Sequence, residues 1–122
     1  NNDIQFNRGE SDEKPERMNP FVVKLMEEIE GEYAKSDFSI ESLAANMNMS
    51  QSTLSRRTKN LIGKTPVEVL NEYRLNKAYR MLKEKNREEN IASVAYEVGF
   101  SDPAYFTRKF KEFFGFLPSS VK

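Results

Sequence analysis

The chain has 122 residues, 38% hydrophobic, 11% aromatic and 31% charged, which suits one compact domain or two very small ones sharing a core. It contains neither cysteine nor histidine, which excludes a disulfide framework, thiolate or imidazole metal sites, a cysteine nucleophile and a Ser-His-Asp triad. Nineteen basic side chains balance nineteen acidic ones, no apolar run approaches the ~18 residues of a membrane span, and Asn1 to Gly9 lacks a signal-like apolar stretch, so the expectation is a soluble, intracellular domain poorly equipped for catalysis.

Residues 1–19 are polar and unpatterned, with Ser11-Asp12-Glu13-Lys14-Pro15-Glu16 at their centre. They read as a linker or disordered arm, or as the stub of a longer protein cut at a domain boundary. From Pro20, Phe21, Val22, Leu25, Met26, Ile29 and Tyr33 recur at three- and four-residue steps, the stripe of an amphipathic helix, with Asn19 and Pro20 as N-cap and first residue. A second helix starts at Ser39 or Asp37 and carries Ile40, Leu43, Ala44 and Met47; Asn48 then tolerates a left-handed exit. Ser50 caps a third, with Leu54, Leu61 and Ile62 as its apolar residues and Gly63 as its stop. Pro66 opens a long helix to about Lys85, with Val67, Leu70, Tyr73, Ala78, Met81 and Leu82 inward, and the polar stretch Asn86 to Asn90 breaks it. Ile91, Val94, Ala95 and Val98 mark a short helix closed by Gly99. Asp102-Pro103 starts the last one, with Phe106, Phe110, Phe113 and Phe114 facing the core and Gly115 ending it. No alternating strand pattern is present. The reading is all-α, with about seven helices or fewer.

Neutral total charge hides segregation. Residues 20–49 carry Lys24 and Lys35 against Glu27, Glu28, Glu30, Glu32, Asp37 and Glu41, whereas residues 50–65 carry Arg56, Arg57, Lys59 and Lys64 and no acid. Separated patches of this kind steer a polyanion to one face, although solvated helix faces produce the same pattern.

The deciding feature is an internal repeat. At an offset of 51, Ile40, Leu43, Ala44 and Met47 fall on Ile91, Val94, Ala95 and Val98, and Asn48 falls on Gly99. Past the turn the offset becomes 52, and Leu54, Arg56, Leu61, Ile62, Gly63 and Pro66 fall on Phe106, Arg108, Phe113, Phe114, Gly115 and Pro118. Each copy is a short helix, a turn that suits positive φ, and a second helix beginning with small polar residues: the helix-turn-helix plan, which props the start of its second helix outward to enter a major groove. A duplicated structural hairpin with no ligand is the competing explanation. The connecting helix, some 20 residues long, spans roughly 30 Å, close to the ~34 Å of one B-DNA turn. The domains expected are an arm at 1–19, a first helix-turn-helix subdomain at 20–65, a connecting helix at 66–86 and a second subdomain at 87–122.

From about Phe21 to Lys122 the chain resembles the DNA-binding domain of AraC/XylS-type transcription regulators. The motifs are Ser39-Ile40-Glu41-Ser42-Leu43-Ala44, Met49 to Arg56, Tyr73-Arg74-Leu75-Asn76-Lys77-Ala78, and above all Ile91 to Lys111, with Phe114-Gly115 and Pro118. The resemblance implies two homeodomain-like helix-turn-helix subdomains joined by a long helix and bound to double-stranded DNA. It further implies a sensory or receiver portion outside this segment, RNA polymerase as a partner, no cofactor or small-molecule ligand, and no membrane contact by this segment. Within the family the chain is similar to output domains of hybrid two-component sensors, placing it in the cytoplasm or on the cytoplasmic side of a membrane-anchored sensor. Two positions depart from the family pattern: Thr58 stands where a core Phe is usual, matching Phe110 in the second copy, and Val121-Lys122 stands in place of Tyr-Arg.

Carried over residue by residue, the first recognition helix offers Ser52, Thr53, Ser55 and Arg56 to base edges, Arg56 foremost because guanidinium bonds guanine N7 and O6 together. Gln51 reaches a base or a phosphate, and Arg57 and Lys59 serve phosphates. The second offers Pro103, Ala104, Thr107 and Arg108, a poorer set because neither Pro103 nor Ala104 has a side-chain donor; Ser101 and Lys111 are its phosphate candidates. Arg108 is either a base reader or a phosphate clamp, and Tyr105 faces either solvent or the backbone. On the long helix, Arg74, Lys77 and Arg80 form a basic face pairing with Glu72 and Glu84, with Arg74 alternatively anchoring the two subdomains. The competing function is a helical protein-interaction module with degenerate recognition helices, consistent with zero net charge and the acidic first helix.

Overall fold

A computed structural model describes residues 19–84 and 90–121. The expected arm at 1–18, the end of the long helix at Lys85, the break at 86–89 and the terminal Lys122 lie outside the described residues. Among those described there are six α-helices, a 3-10 turn and no strand: α1 (Pro20–Glu32), α2 (Ile40–Asn46), α3 (Gln51–Ile62), α4 (Pro66–Lys83), α5 (Ile91–Glu97), α6 (Pro103–Phe114) and the turn Pro118–Ser120.

Short polar side chains set the helix starts, because the first backbone N–H groups of a helix have no partner inside it. Asn19 Oδ1 accepts from the Phe21 N–H at 2.8 Å, and Ser39 Oγ, rather than Asp37, accepts from the Ser42 N–H at 3.0 Å. Ser50 and Asp102, at the same place in the two copies, accept from Thr53 and Ala104. Asn90 caps α5 as Ser39 caps α2. Thr65 opens α4 with a full capping box, its hydroxyl accepting from the Glu68 N–H and its own N–H donating to the Glu68 carboxylate at 2.9 Å.

The repeat is a structural duplication. α2 and α5 each have seven residues, and α3 and α6 each have twelve. The turns between them match bond for bond: Met49 N–H donates to Ala44 and Phe100 N–H to Ala95, around Asn48 at φ 60° and Gly99 at φ 104°. Past α3 and α6, Gly63 and Gly115 take left-handed conformations that only glycine adopts without strain, and a buried proline follows each.

Each unit closes over its own apolar cluster. Phe21, Leu25, Ile29, Phe38, Leu43, Ala44, Met47, Leu54, Val69 and Leu70 fill the first; Leu75, Ala78, Val94, Ala95, Val98, Phe100, Phe106 and Phe110 fill the second. α4 belongs to both. Its 18 residues span about 27 Å, ending at Lys83 with Glu84 as C-cap.

Several residues expected inside stand outside. Val67, Leu61 and Phe113 are 46%, 46% and 42% exposed. Leu61 and Phe113 occupy the same place in the two copies, in the last turn of α3 and of α6, just before the chain turns at Gly63 and Gly115. Val67 lies in the first turn of α4, where Val69 and Leu70 are the residues directed inward. Thr58, by contrast, is fully buried in the slot that Phe110 fills in the second unit, and its hydroxyl has no hydrogen-bond partner among the described residues.

Candidate nucleic-acid interface

On α3, Ser52 lies three and four residues before Ser55 and Arg56, and Lys59 four and three after them, so the four share one face; all are exposed, opposite the buried Leu54 and Thr58. Gln51 and Arg57 flank them, also exposed. Thr53 is half-buried, and its Oγ1 accepts from the Ser50 hydroxyl at 3.1 Å, so its oxygen is already engaged in the helix cap. The Arg57 guanidinium lies over the Phe21 ring, 4.4 Å from its centroid, which holds its stem against α1 while the charge stays in solvent. Arg56 has no ion pair or hydrogen bond with any described residue, so the surface salt bridge that would occupy it is not formed there.

On α6 the same face carries Ala104, Arg108 and Lys111, exposed, with Thr107 half-buried between them; Ser101 is exposed in the turn and Pro103 half-buried at the helix start. Opposite lie Phe106 and Phe110, both fully buried. These two rings and Phe114 pack in series, tilted against one another, at 5.6 and 4.5 Å between centroids, which makes them core and not a base-stacking platform. Arg108 sits 5.2 Å from the Tyr105 ring centroid, with Lys109 5.7 Å from the same ring. Tyr105 itself turns to α4, where its hydroxyl accepts from Asn71 Nδ2 at 3.0 Å.

Of the basic face expected on the long helix, Arg80 is exposed and Lys77 half-buried, but Arg74 is not part of it. Arg74 is 7% exposed, and its Nε donates to the Tyr33 carbonyl at 2.8 Å and its Nη2 to the Lys35 carbonyl at 3.1 Å. Burial lowers its pKa from the usual arginine range, yet a guanidinium keeps its proton in proteins. The two carbonyls sit at the C-terminal end of α1, where the helix dipole is negative and where α1 has no basic residue of its own in its last turn. Lys77 lies over the Tyr33 and Tyr73 rings, and Glu72 pairs with Lys64 at 2.6 Å. Anchoring, the alternative for Arg74, is what the geometry bears out. What the sequence reading missed is the partners, two backbone carbonyls about 40 positions away in sequence, and the close approach of Gly99 to Arg74.

Among the described residues no group of acidic side chains is arranged to hold a metal ion, and no helix is long and apolar enough to cross a membrane.

A family of helix-turn-helix domains matches residues 43–122. Histidine kinase P4 of Formosa agariphila is 30% identical over 99 residues, covering 81% of this chain and 7% of that protein. The C-terminal domain of AraT, a response regulator from Geobacillus stearothermophilus, superposes with a TM-score of 0.77 at 30% identity, over 86% of this chain and 85% of that one. The DNA-binding domain of the global transcriptional factor AdpA, solved in complex with a target DNA, superposes with a TM-score of 0.72 at 27% identity, over 84% and 89%. The chain spans about a third or less of the length of the curated relatives it matches. With the duplicated unit, the caps and the exposed arginines in place, the chain belongs to the AraC/XylS-type family of helix-turn-helix transcription regulators, whose DNA-binding output domain it forms.

Proposed function

We propose that this domain binds a bipartite operator by seating α3 and α6 of one chain in successive major grooves. The observation that supports this most directly is the matched pair of exposed helix faces, each with an arginine at the same place in the repeat. In α3, Ser52, Ser55 and Arg56 address base edges, with Thr53 contributing its methyl group more than its engaged hydroxyl; Gln51, Arg57 and Lys59 hold phosphates. In α6, Ala104 packs on a thymine methyl, Thr107 and Pro103 make short contacts, Arg108 is the polar reader or a phosphate clamp, and Ser101 and Lys111 hold phosphates. The domain performs no chemistry of its own. Its likeness to a histidine kinase and to a response regulator supports a sensory or receiver portion elsewhere in the protein, RNA polymerase as the downstream partner, and work in the cytoplasm or at the cytoplasmic face of a membrane-anchored sensor.

Selection from a random duplex pool, followed by a salt series on the winning site, tests the proposal. Affinity falls steeply with salt as phosphates are engaged, and the selected sites share two short conserved elements. A pool that yields no preferred sequence, with a flat salt response, points instead to a protein-interaction module.

A further inference from the structure

Among the described residues the two apolar clusters share no buried residue, and Tyr33 alone packs against both from their margins. Apolar packing ties each unit to its own half of α4. Beyond that shared helix, a polar joint links the units directly. Arg74 sits on α4 between Leu70, the last buried residue of the first core, and Leu75, the first of the second. It binds the end of α1 through the Tyr33 and Lys35 carbonyls while its guanidinium lies over Phe100 of the second unit, 5.7 Å from the ring centroid. Gly99 completes the joint: a Cβ there would overlap the Tyr33 carbonyl oxygen and stand 2.7 Å from Arg74 Nε. Asn48, at the same place in the first copy, carries a side chain at a positive φ. The second turn must be bare because it is pressed against the other unit.

We propose that Arg74 is a positioning residue that fixes the angle between the two helix-turn-helix units, and through it the spacing of operator half-sites the domain accepts. The second half of the proposal rests on the two-groove docking proposed above; the first does not. Two linked binding modules gain affinity only when their geometry lets both engage, and a rigid joint concentrates that gain on one spacing. The planar fork of arginine binds the Tyr33 and Lys35 carbonyls just past α1 at once, a geometry lysine cannot reproduce.

The chain's lack of cysteine makes the test direct. Spin labels at Asn60→Cys on α3 and Glu112→Cys on α6, both exposed, report the distance between the recognition helices without DNA. The original residue gives one narrow distance, Arg74→Met a broad distribution, and Arg74→Lys an intermediate one. In unlabelled protein, with the selected operator re-cut at spacings from two base pairs shorter to two longer, Arg74→Met lowers affinity about tenfold at the best spacing. It flattens the preference, while binding to a single half-site stays within about twofold. A narrow distance in Arg74→Met overturns the proposal, as does an unchanged spacing optimum or loss of fold in both variants. Failure of the unsubstituted domain to prefer any spacing removes the two-groove reading and leaves the distance measurement to decide the joint.

Discussion

The two helix-turn-helix units share a backbone and divide their strengths differently. The first has the richer reading face: Ser52, Ser55 and Arg56 offer polar groups, and residues 50–65 carry four basic side chains and no acid. Its core carries a flaw, a buried hydroxyl at Thr58 where the second unit places a phenyl ring. The second unit reverses both. Phe100, Phe106, Phe110 and Phe114 interlock, whereas its reading face begins with proline and alanine behind an acidic cap, Asp102. Duplication of a scaffold thus leaves each copy free to drift, one toward discrimination and the other toward holding shape, as long as the joint between them keeps both presented.

The largest expected effect is on the aromatic core of the second unit. Phe110→Ala removes a fully buried ring and costs about 3–5 kcal/mol in urea unfolding, enough to unfold the second unit; an unchanged midpoint would mean that the aromatic stack is not what holds it. Next comes recognition. Arg56→Ala weakens operator binding by about 1–3 kcal/mol and relaxes preference at one base position, read by repeating the duplex selection with the variant. Thr58→Val, of nearly the same shape, removes the unpartnered hydroxyl and raises the stability of the first unit by about 1 kcal/mol; a loss instead would show that the hydroxyl is satisfied in solution.

The smallest effect concerns the exit from the first unit, where Thr65 and Glu68 cap each other and the matching Leu117 has no side-chain cap. The hydrogen bond from the Thr65 N–H holds the Glu68 carboxyl below its usual 4.5, with Lys59 and Lys64 acting the same way. A depressed carboxylate pKa stabilises the fold above the unfolded value and loses that contribution as pH falls through the folded one. Glu68→Gln is therefore slightly less stable at neutral pH. The gap to the original chain closes as acid is added below about 4.5, measured by thermal unfolding across pH.

Much of this was legible in the residues because it is local. Asn19, Ser39, Ser50 and Asp102 announce helix starts by chemistry acting within three residues, and Asn48 and Gly99 announce the turns. The candidate reading face followed from the repeat, since residues at the same offset inherit the same side of the helix. Periodicity fails at the ends of stripes. Leu61, Val67 and Phe113 have the right spacing for burial, yet in the first or last turn of a helix exposure depends on how far the packed neighbours extend, and all three stay about half exposed. Arg74 was ambiguous for a related reason. A basic residue on a long helix looks solvated until the carbonyl end of another helix, some 40 positions away in sequence, is brought against it.

Guanine-N7 methylation interference on a selected operator, with the protein at one molecule per duplex, tests the two-groove claim most directly. Two clusters of interfering guanines on one face of the duplex, about ten base pairs apart, are the predicted result. A single cluster, or a second that appears only when a second molecule binds, would contradict it.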